Sequence, residues 1–204
     1  MMKLYHSAQS RSVRPKWLLE EIGASYEVVS LNLQALDQKK PEYLKLNPNG
    51  AVPTLVDDDL VLFESAAICQ YLADKFPDKH LAPAICTPAR GLYYQWIHFA
   101  MSGLEPPAVT IFQHTVMKPE AERNPTLVAE ARTQLGAALK VVDAALAGRD
   151  YILGKEFTAA DVMVGSTLNW CQMMGMIDGG GLPNVQGYLG RLAARPAAQR
   201  ALAG

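Results

Sequence analysis

Residues 47–71, NPNGAVPTLVDDDLVLFESAAICQY, restrict the fold of this chain more than any other stretch. Four parts follow in fixed order. A turn, Asn47-Pro48-Asn49-Gly50, leads into a short strand carrying Val52-Pro53. A tight acidic turn at Asp57-Asp58-Asp59 then reverses the chain into a second strand over 60–63. Glu64-Ser65 closes that strand and opens a helix whose apolar face is Ile68, Tyr71 and Leu72. A proline inside a strand gives up a ladder hydrogen bond, so it belongs at an edge or bend. An X-Pro bond in such a turn is also where the cis form occurs. A strand edge with open backbone groups beside a helix N-terminus can hold an extended, anionic peptide.

The chain before this stretch reads as a βαβ unit. Lys3-Leu4-Tyr5-His6 is a short strand and Ser7-Ala8-Gln9-Ser10-Arg11 a small polar loop. The spacing of Val13, Trp17, Leu18 and Glu21 predicts a helix over 12–22, with Ser10 or Ser12 as N-cap and Gly23 as the left-handed C′ residue. Val29, Leu31 and Leu33 alternate in a second strand over 26–33. Such a unit implies parallel strands and a right-handed crossover. Residues 34–46 are polar, contain Pro41, and read as a loop with a short helix. The order is therefore βαβ-ββα.

The proline-rich segment LAPAICTP at 81–88 lacks periodicity, and everything after it reads as helix. We expect a first domain at 1–78, a linker at 79–88 and an all-helical domain at 89–204. The aromatic helix over 89–102 is interrupted at Pro106-Pro107, and a continuation over 109–117 follows. A long amphipathic helix starts at Pro125 or Thr126 and ends at Gly148. Thr158 and Asp161 form an acidic capping box before the apolar run 162–174. A Gly179-Gly180-Gly181 loop precedes a helix starting near Pro183, which Pro196 ends.

Composition excludes several functions. With 204 residues, half of them apolar, and a net charge of −1, there is no general electrostatic case for nucleic acid or an acidic membrane. Cys69, Cys86 and Cys171 form no CxxC pair, so neither a zinc knuckle nor a dithiol redox site is expected. His6, His80, His98 and His114 lack metal-ligand spacing, and no metal is expected. The N-terminus has no long apolar run and no segment approaches about 18 apolar residues. The expectation is a cytoplasmic protein with reduced cysteines.

Two places carry chemistry. At the Glu64-Ser65 corner, a helix N-terminus and a hydroxyl suit a carboxylate, while the Glu64 carboxylate suits an ammonium. Together they match an α-amino acid head group; the plainer reading is a capping serine and a surface charge. The loop 7–11 joins the first strand to the first helix, where ligands of α/β sheets gather. It offers hydroxyls at Tyr5, Ser7 and Ser10 and a cation at Arg11. A hydroxyl donor and a helix N-terminus both stabilise a thiolate.

These motifs in combination resemble a cytosolic glutathione S-transferase over nearly the whole chain. The resemblance rests on KLYHSAQSRSVRPKWLLEEIG, then NPNGAVPTLVDDDLVLFESAAICQYL, then an all-helical half containing FTAADVMV. It implies a thioredoxin-like N-terminal domain followed by an all-α domain, glutathione as co-substrate, a hydrophobic electrophile and a homodimer. It implies a cis bond at Val52-Pro53, with the Val52 backbone pairing to the cysteinyl part of glutathione and Glu64-Ser65 gripping the γ-glutamyl head. Counting back from the Asn-Pro turn implies Gln38, with Lys39 beside it, for the glycyl carboxylate. The activating hydroxyl stays open. The spacing of Ser-type members points to Ser7 with Arg11, Ser10 is nearest the helix N-terminus, and Tyr-type members would use Tyr5. The loop has no cysteine, so the resemblance is to the Ser-type, theta-like branch rather than the Cys-type. Tyr94, His98, Met101 and Ser102 are the expected wall of the co-substrate pocket. A glutathione-dependent peroxidase or disulfide reductase, or a non-catalytic binding protein on the same fold, is the alternative.

Overall fold

The computed structural model describes residues 1–177 and 181–203, so Gly179 and Gly180 of the expected glycine loop lie outside the described residues. The chain divides into two compact units. One comprises residues 1–82 with 193–203, the other 83–192.

In the first unit the order is β1 (Met2–His6), α1 (Val13–Ile22), β2 (Tyr26–Ser30), α2 (Pro41–Leu44), β3 (Thr54–Asp57), β4 (Leu60–Phe63) and α3 (Ser65–Lys75). This is the βαβ-ββα order. The strands line up as β2-β1-β3-β4, with β1 and β2 parallel and the other pairs antiparallel. Period-2 alternation sends Met2, Leu4 and His6 to the buried face and Lys3 and Tyr5 to the other. Leu4 faces Leu55 in register, and both are fully buried with Leu18, Leu19, Ile68 and Leu72. That apolar layer stabilises the unit by roughly 1.5–3 kcal/mol per side chain removed from water.

Three local expectations shift. β2 stops at Ser30 rather than at residue 33. β1 has no residue left to pair after His6, whose carbonyl accepts from Leu31 N–H at 2.8 Å. The Asn32 Oδ1 then accepts from the Gln34 and Ala35 N–H groups and turns the chain. Val52-Pro53 precede β3 instead of lying in it, because Pro53 has no N–H for a ladder. Ser12 occupies the α1 N-cap position but in the αR conformation, and its hydroxyl makes no cap bond. Gly23 does end α1 in the left-handed region, at φ +70°, its N–H bonding to the Leu19 carbonyl.

The last helix, α9 (Pro196–Leu202), groups with the first unit and packs on α1. Its small buried face is Ala197, Ala198 and Ala201. Arg195 grips the Glu21 carboxylate with two bonds of 2.6 and 2.8 Å, and Arg200 reaches Glu20 at 2.7 Å.

The second unit is helical: α4 (Pro88–Phe99), α5 (Glu105–Phe112), α6 (Pro125–Ala145), α7 (Ala159–Met173) and α8 (Pro183–Ala193). Pro106-Pro107 do not break the chain. They sit in the first turn of α5, where N–H groups need no helical partner, and a π turn at Ala100–Leu104 carries α4 into α5. The capping box is formed as expected. Asp161 accepts from Ile152 N–H (2.8 Å), Tyr188 O–H (2.9 Å), Thr158 N–H (2.8 Å) and the Thr158 hydroxyl (3.2 Å). Burial pushes its carboxyl up to about 6 in spite of those donors. Gly165 lets α8 close on α7, since a Cβ there would lie 2.2 Å from Leu192 Cδ1.

Asp161 is therefore the polar centre of the second unit. Asp161→Ala leaves the buried Ile152 and Thr158 N–H groups without an acceptor and the Tyr188 hydroxyl with only the long 3.4 Å contact to the residue 161 carbonyl. It is expected to lower the unfolding free energy by about 3 kcal/mol, read from urea denaturation; a change under about 1 kcal/mol contradicts this role.

Candidate functional site

Glu64 and Ser65 stand where β4 turns into α3. Ser65 is not the N-cap; it is the first residue of α3, and Glu64 holds the cap position without a side-chain cap bond. The Ser65, Ala66 and Ala67 N–H groups fall in the turn that has no intrahelical acceptors. Below them lies Arg14 of α1, 5% exposed, whose Nη1 donates to Ser65 Oγ at 3.2 Å. The serine oxygen is thus occupied as an acceptor, and its own proton can be donated. Helix end and guanidinium both favour an anion here. Glu64 is exposed and sits at φ 75°, ψ 114°, a conformation that costs a non-glycine residue about 1–3 kcal/mol. Its carboxylate is carried to the surface beside the helix start.

The loop at 47–54 is held from behind. Tyr43 Oη donates to the Ala51 carbonyl at 2.6 Å and lies 2.8 Å from Thr54 Oγ1. Asn47 Nδ2 donates to the same carbonyl at 2.8 Å and to Thr54 Oγ1 at 3.2 Å, while its Oδ1 accepts from Asn49 N–H. With Thr54 donating to Tyr43, every proton in this cluster has an acceptor. The Val52-Pro53 bond is cis, and Val52 is half-buried beside the braced carbonyl. Gly50 is required here: φ is +57°, and a Cβ would meet Lys39 Nζ at 2.7 Å and the Gln38 carbonyl at 2.9 Å. Gln38 and Lys39 therefore pack against the turn. Lys39 Nζ donates to the Asn49 carbonyl at 3.2 Å. Gln38 Nε2 reaches the Leu33 carbonyl only at 3.5 Å, and its Oε1 is enclosed with no partner among the described residues.

The three hydroxyls of the first loop are placed differently. The Tyr5 ring lies on the α2 side of the sheet, 5.5 Å from the Tyr43 ring and on the opposite face from His6. Ser7 enters a hydrogen-bond network through its backbone. Ser10 Oγ donates to the Ser7 carbonyl at 2.7 Å and faces Ser12 Oγ at 2.7 Å. Ser12 Oγ in turn lies 2.7 Å from His6 Nδ1 and accepts from Ser7 N–H at 3.0 Å. Arg11 is exposed at the loop tip. His6 and Ser12 escaped the sequence reading, as did Arg14. Only Arg14 left a trace, being a cation four residues before Leu18 on the buried stripe of α1.

In the second unit, Tyr94 and His98 are exposed on α4, and Met101 and Ser102 lie in the π turn that follows. Ser102 Oγ donates to the His98 carbonyl at 2.8 Å, and the Arg90 guanidinium lies 4.9 Å from the Tyr94 ring. π turns often mark functional sites. Burial pushes the Cys69 thiol up to about 12 despite the nearby Arg14, so it is no nucleophile at neutral pH. Among the described residues no cluster of three or more His, Cys, Asp or Glu could hold a metal ion, and no helix is long and apolar enough to cross a membrane.

A thioredoxin-like sheet with a helix-start anion corner, followed by a helical unit, defines a class of two-part proteins. The family models agree in both parts: the glutathione S-transferase N-terminal domain matches residues 1–74 and the C-terminal domain 104–196. Glutathione S-transferase GstA of Escherichia coli O157:H7 is 32% identical over 203 residues, covering 98% of this chain and 97% of the relative. The theta class glutathione S-transferase of Xanthomonas axonopodis pv. citri, solved with glutathione bound, superposes with a TM-score of 0.86 at 36% identity, covering 100% of this chain and 97% of that one. A glutathione transferase from Phanerochaete chrysosporium in complex with oxidized glutathione gives a TM-score of 0.88 at 27% identity, covering 98% and 94%. The chain belongs to the glutathione S-transferase family.

Asp57 ties the hairpin to α3 and so fixes the anion corner. Its carboxylate accepts from Tyr71 Oη at 2.6 Å and from Lys75 Nζ. The Lys75 bond, then the Tyr71 bond, hold its carboxyl below the usual range. A depressed carboxyl pKa adds stability above the unfolded value near 4 and loses it as pH falls through the folded one. Asp57→Asn is expected to cost about 1 kcal/mol above pH ~5, the difference from wild type vanishing in acid. Urea midpoints across pH test this; a gap that widens on acidification reverses the sign.

Proposed function

We propose that this protein is a glutathione transferase. The observation that carries the reading is the corner at the start of α3, where Ser65, the first α3 N–H groups and buried Arg14 suit a carboxylate and Glu64 suits the adjacent ammonium. That is the zwitterionic head of a γ-glutamyl group. The open backbone of Val52 beside the cis bond suits the next peptide unit of an extended ligand. Gln38 and Lys39, which pack against the Gly50 turn, are assigned to the glycyl end.

A thiol with pKa near 8.5 is only a few per cent ionised at pH 7, and lowering it by ~2 units takes ~2.7 kcal/mol of thiolate stabilisation. A hydroxyl hydrogen bond and the start of a nearby helix supply that order of energy. Ser10 is the donor we assign. It stands just before α1 in a part-buried network, whereas Tyr5 turns to the other sheet face. The thiolate sulfur attacks an electrophilic carbon, forming a C–S bond as the leaving group departs with its electron pair. Tyr94, His98, Met101 and Ser102 are assigned to the hydrophobic co-substrate. A loop with serines and no cysteine supports assignment to the Ser-type, theta-like branch, and we assign a homodimer as the working unit.

Calorimetric titration with glutathione tests the head-group assignment. Glu64→Gln and Ser65→Ala are each expected to weaken binding about tenfold, the worth of one charge-assisted hydrogen bond. Absence of heat from wild type at millimolar glutathione makes the protein a non-catalytic scaffold instead. Ultraviolet titration of the bound thiol separates the hydroxyls. Ser10→Ala should raise the thiol pKa by about one unit, a 1.4 kcal/mol effect, while Ser7→Ala and Tyr5→Phe leave it in place. A shift in Tyr5→Phe alone transfers the role to Tyr5.

A further inference from the structure

The loop that holds Ser10 contains more acceptors than protons. Two hydroxyls carry two protons, and four short contacts compete for them. Ser10 Oγ and Ser12 Oγ each reach the Ser7 carbonyl, at 2.7 and 3.1 Å. They face each other at 2.7 Å, and Ser12 Oγ faces His6 Nδ1 at 2.7 Å. Backbone N–H groups fill other lone pairs: Ser7 N–H donates to Ser12 Oγ and Ser12 N–H to Ser10 Oγ. Ser12 is 0% and His6 3% exposed, so water is a poor substitute for either.

The imidazole decides how the two protons are shared. With hydrogen on Nδ1, His6 donates to Ser12, and the Ser12 proton is free to serve the Ser7 carbonyl. The Ser10 proton can then turn to a ligand while the Ser7 carbonyl keeps a donor. With Nδ1 bare, the Ser12 proton is drawn to the ring, and the Ser7 carbonyl depends on Ser10 alone. Redirecting Ser10 would then leave that part-buried carbonyl without its protein donor, which costs free energy. We propose that His6, as an Nδ1–H donor acting through Ser12, is the positioning residue that frees the Ser10 hydroxyl to face the glutathione sulfur. This rests on Ser10 being the thiol donor.

The test is ultraviolet titration of bound glutathione in the full-length protein, with steady-state kinetics on an activated aryl halide. It compares wild type with His6→Ala, His6→Asn, Ser12→Ala and Ser10→Ala. An asparagine Nδ2 donates from close to the imidazole Nδ1 position, so His6→Asn is the rescuing variant. His6→Ala and Ser12→Ala should raise the thiol pKa by about one unit, a tenfold loss in the thiolate-to-thiol ratio. They should lower kcat with the KM for glutathione within about twofold, while His6→Asn stays near wild type. If Ser10→Ala shifts the thiol pKa and both His6→Ala and Ser12→Ala leave it unchanged, the relay is wrong and the Ser10 assignment survives. Equal impairment in His6→Asn and His6→Ala also overturns the relay, because the ring would then act by its bulk. An unchanged pKa in Ser10→Ala removes the Ser10 assignment and the relay together. Should His6→Ala fail to fold, Ser12→Ala and His6→Asn decide the matter.

Discussion

A buried guanidinium beneath the first turn of α3 is the interaction on which the binding corner depends. Arg14 comes from α1 and Ser65 from α3, 51 residues apart, and their bond of 3.2 Å joins the two helices on one side of the sheet. Helix ends carry partial positive charge, and a cation placed below one adds to it rather than cancelling it. The combination favours an anion above it. The positive character of this corner is therefore built into the packing of α1 on α3, and the proposed carboxylate site draws on it.

The remaining parts of the first unit keep that corner and the loop at 47–54 in register. Asp57 anchors α3 to the hairpin through Tyr71 and Lys75. Tyr43 and Asn47 immobilise the Ala51 carbonyl, and with it the backbone leading into Val52. α9 clamps the far side of α1 through Arg195 and Glu21. The second unit has its own organising charge in Asp161, whose four donors come from the α7 cap, the Ile152 backbone and Tyr188 of α8.

How much of this is legible in the sequence follows from the range of each interaction. The capping box, the Gly23 terminus, the hairpin at 54–63 and the start of α6 at Pro125 are decided by residues within a few positions of one another, and these expectations match the structure. The end of β2 depends on where β1 runs out, and the seat of α9 on a face of alanines that could pack against many helices. Chemistry alone singles out Glu64-Ser65 as a candidate corner, whereas Arg14, which bonds Ser65, arrives from a helix 51 residues away and leaves no local signal there. Ser12 looked like a cap because serine before a helix is one in most proteins. Here the preceding turn leaves that residue in the αR conformation, and its hydroxyl turns back toward β1.

Glu64 carries a further consequence. Its backbone occupies a region that glycine enters freely, yet the residue there carries an exposed carboxylate, the one the proposed function sets against an ammonium. Folding and binding thus make opposite demands on a single position. A glycine there would relieve the backbone and remove the carboxylate that the proposed function pairs with an ammonium. Strained backbone of this kind clusters where a fold serves a ligand, in accord with the proposed role of Glu64.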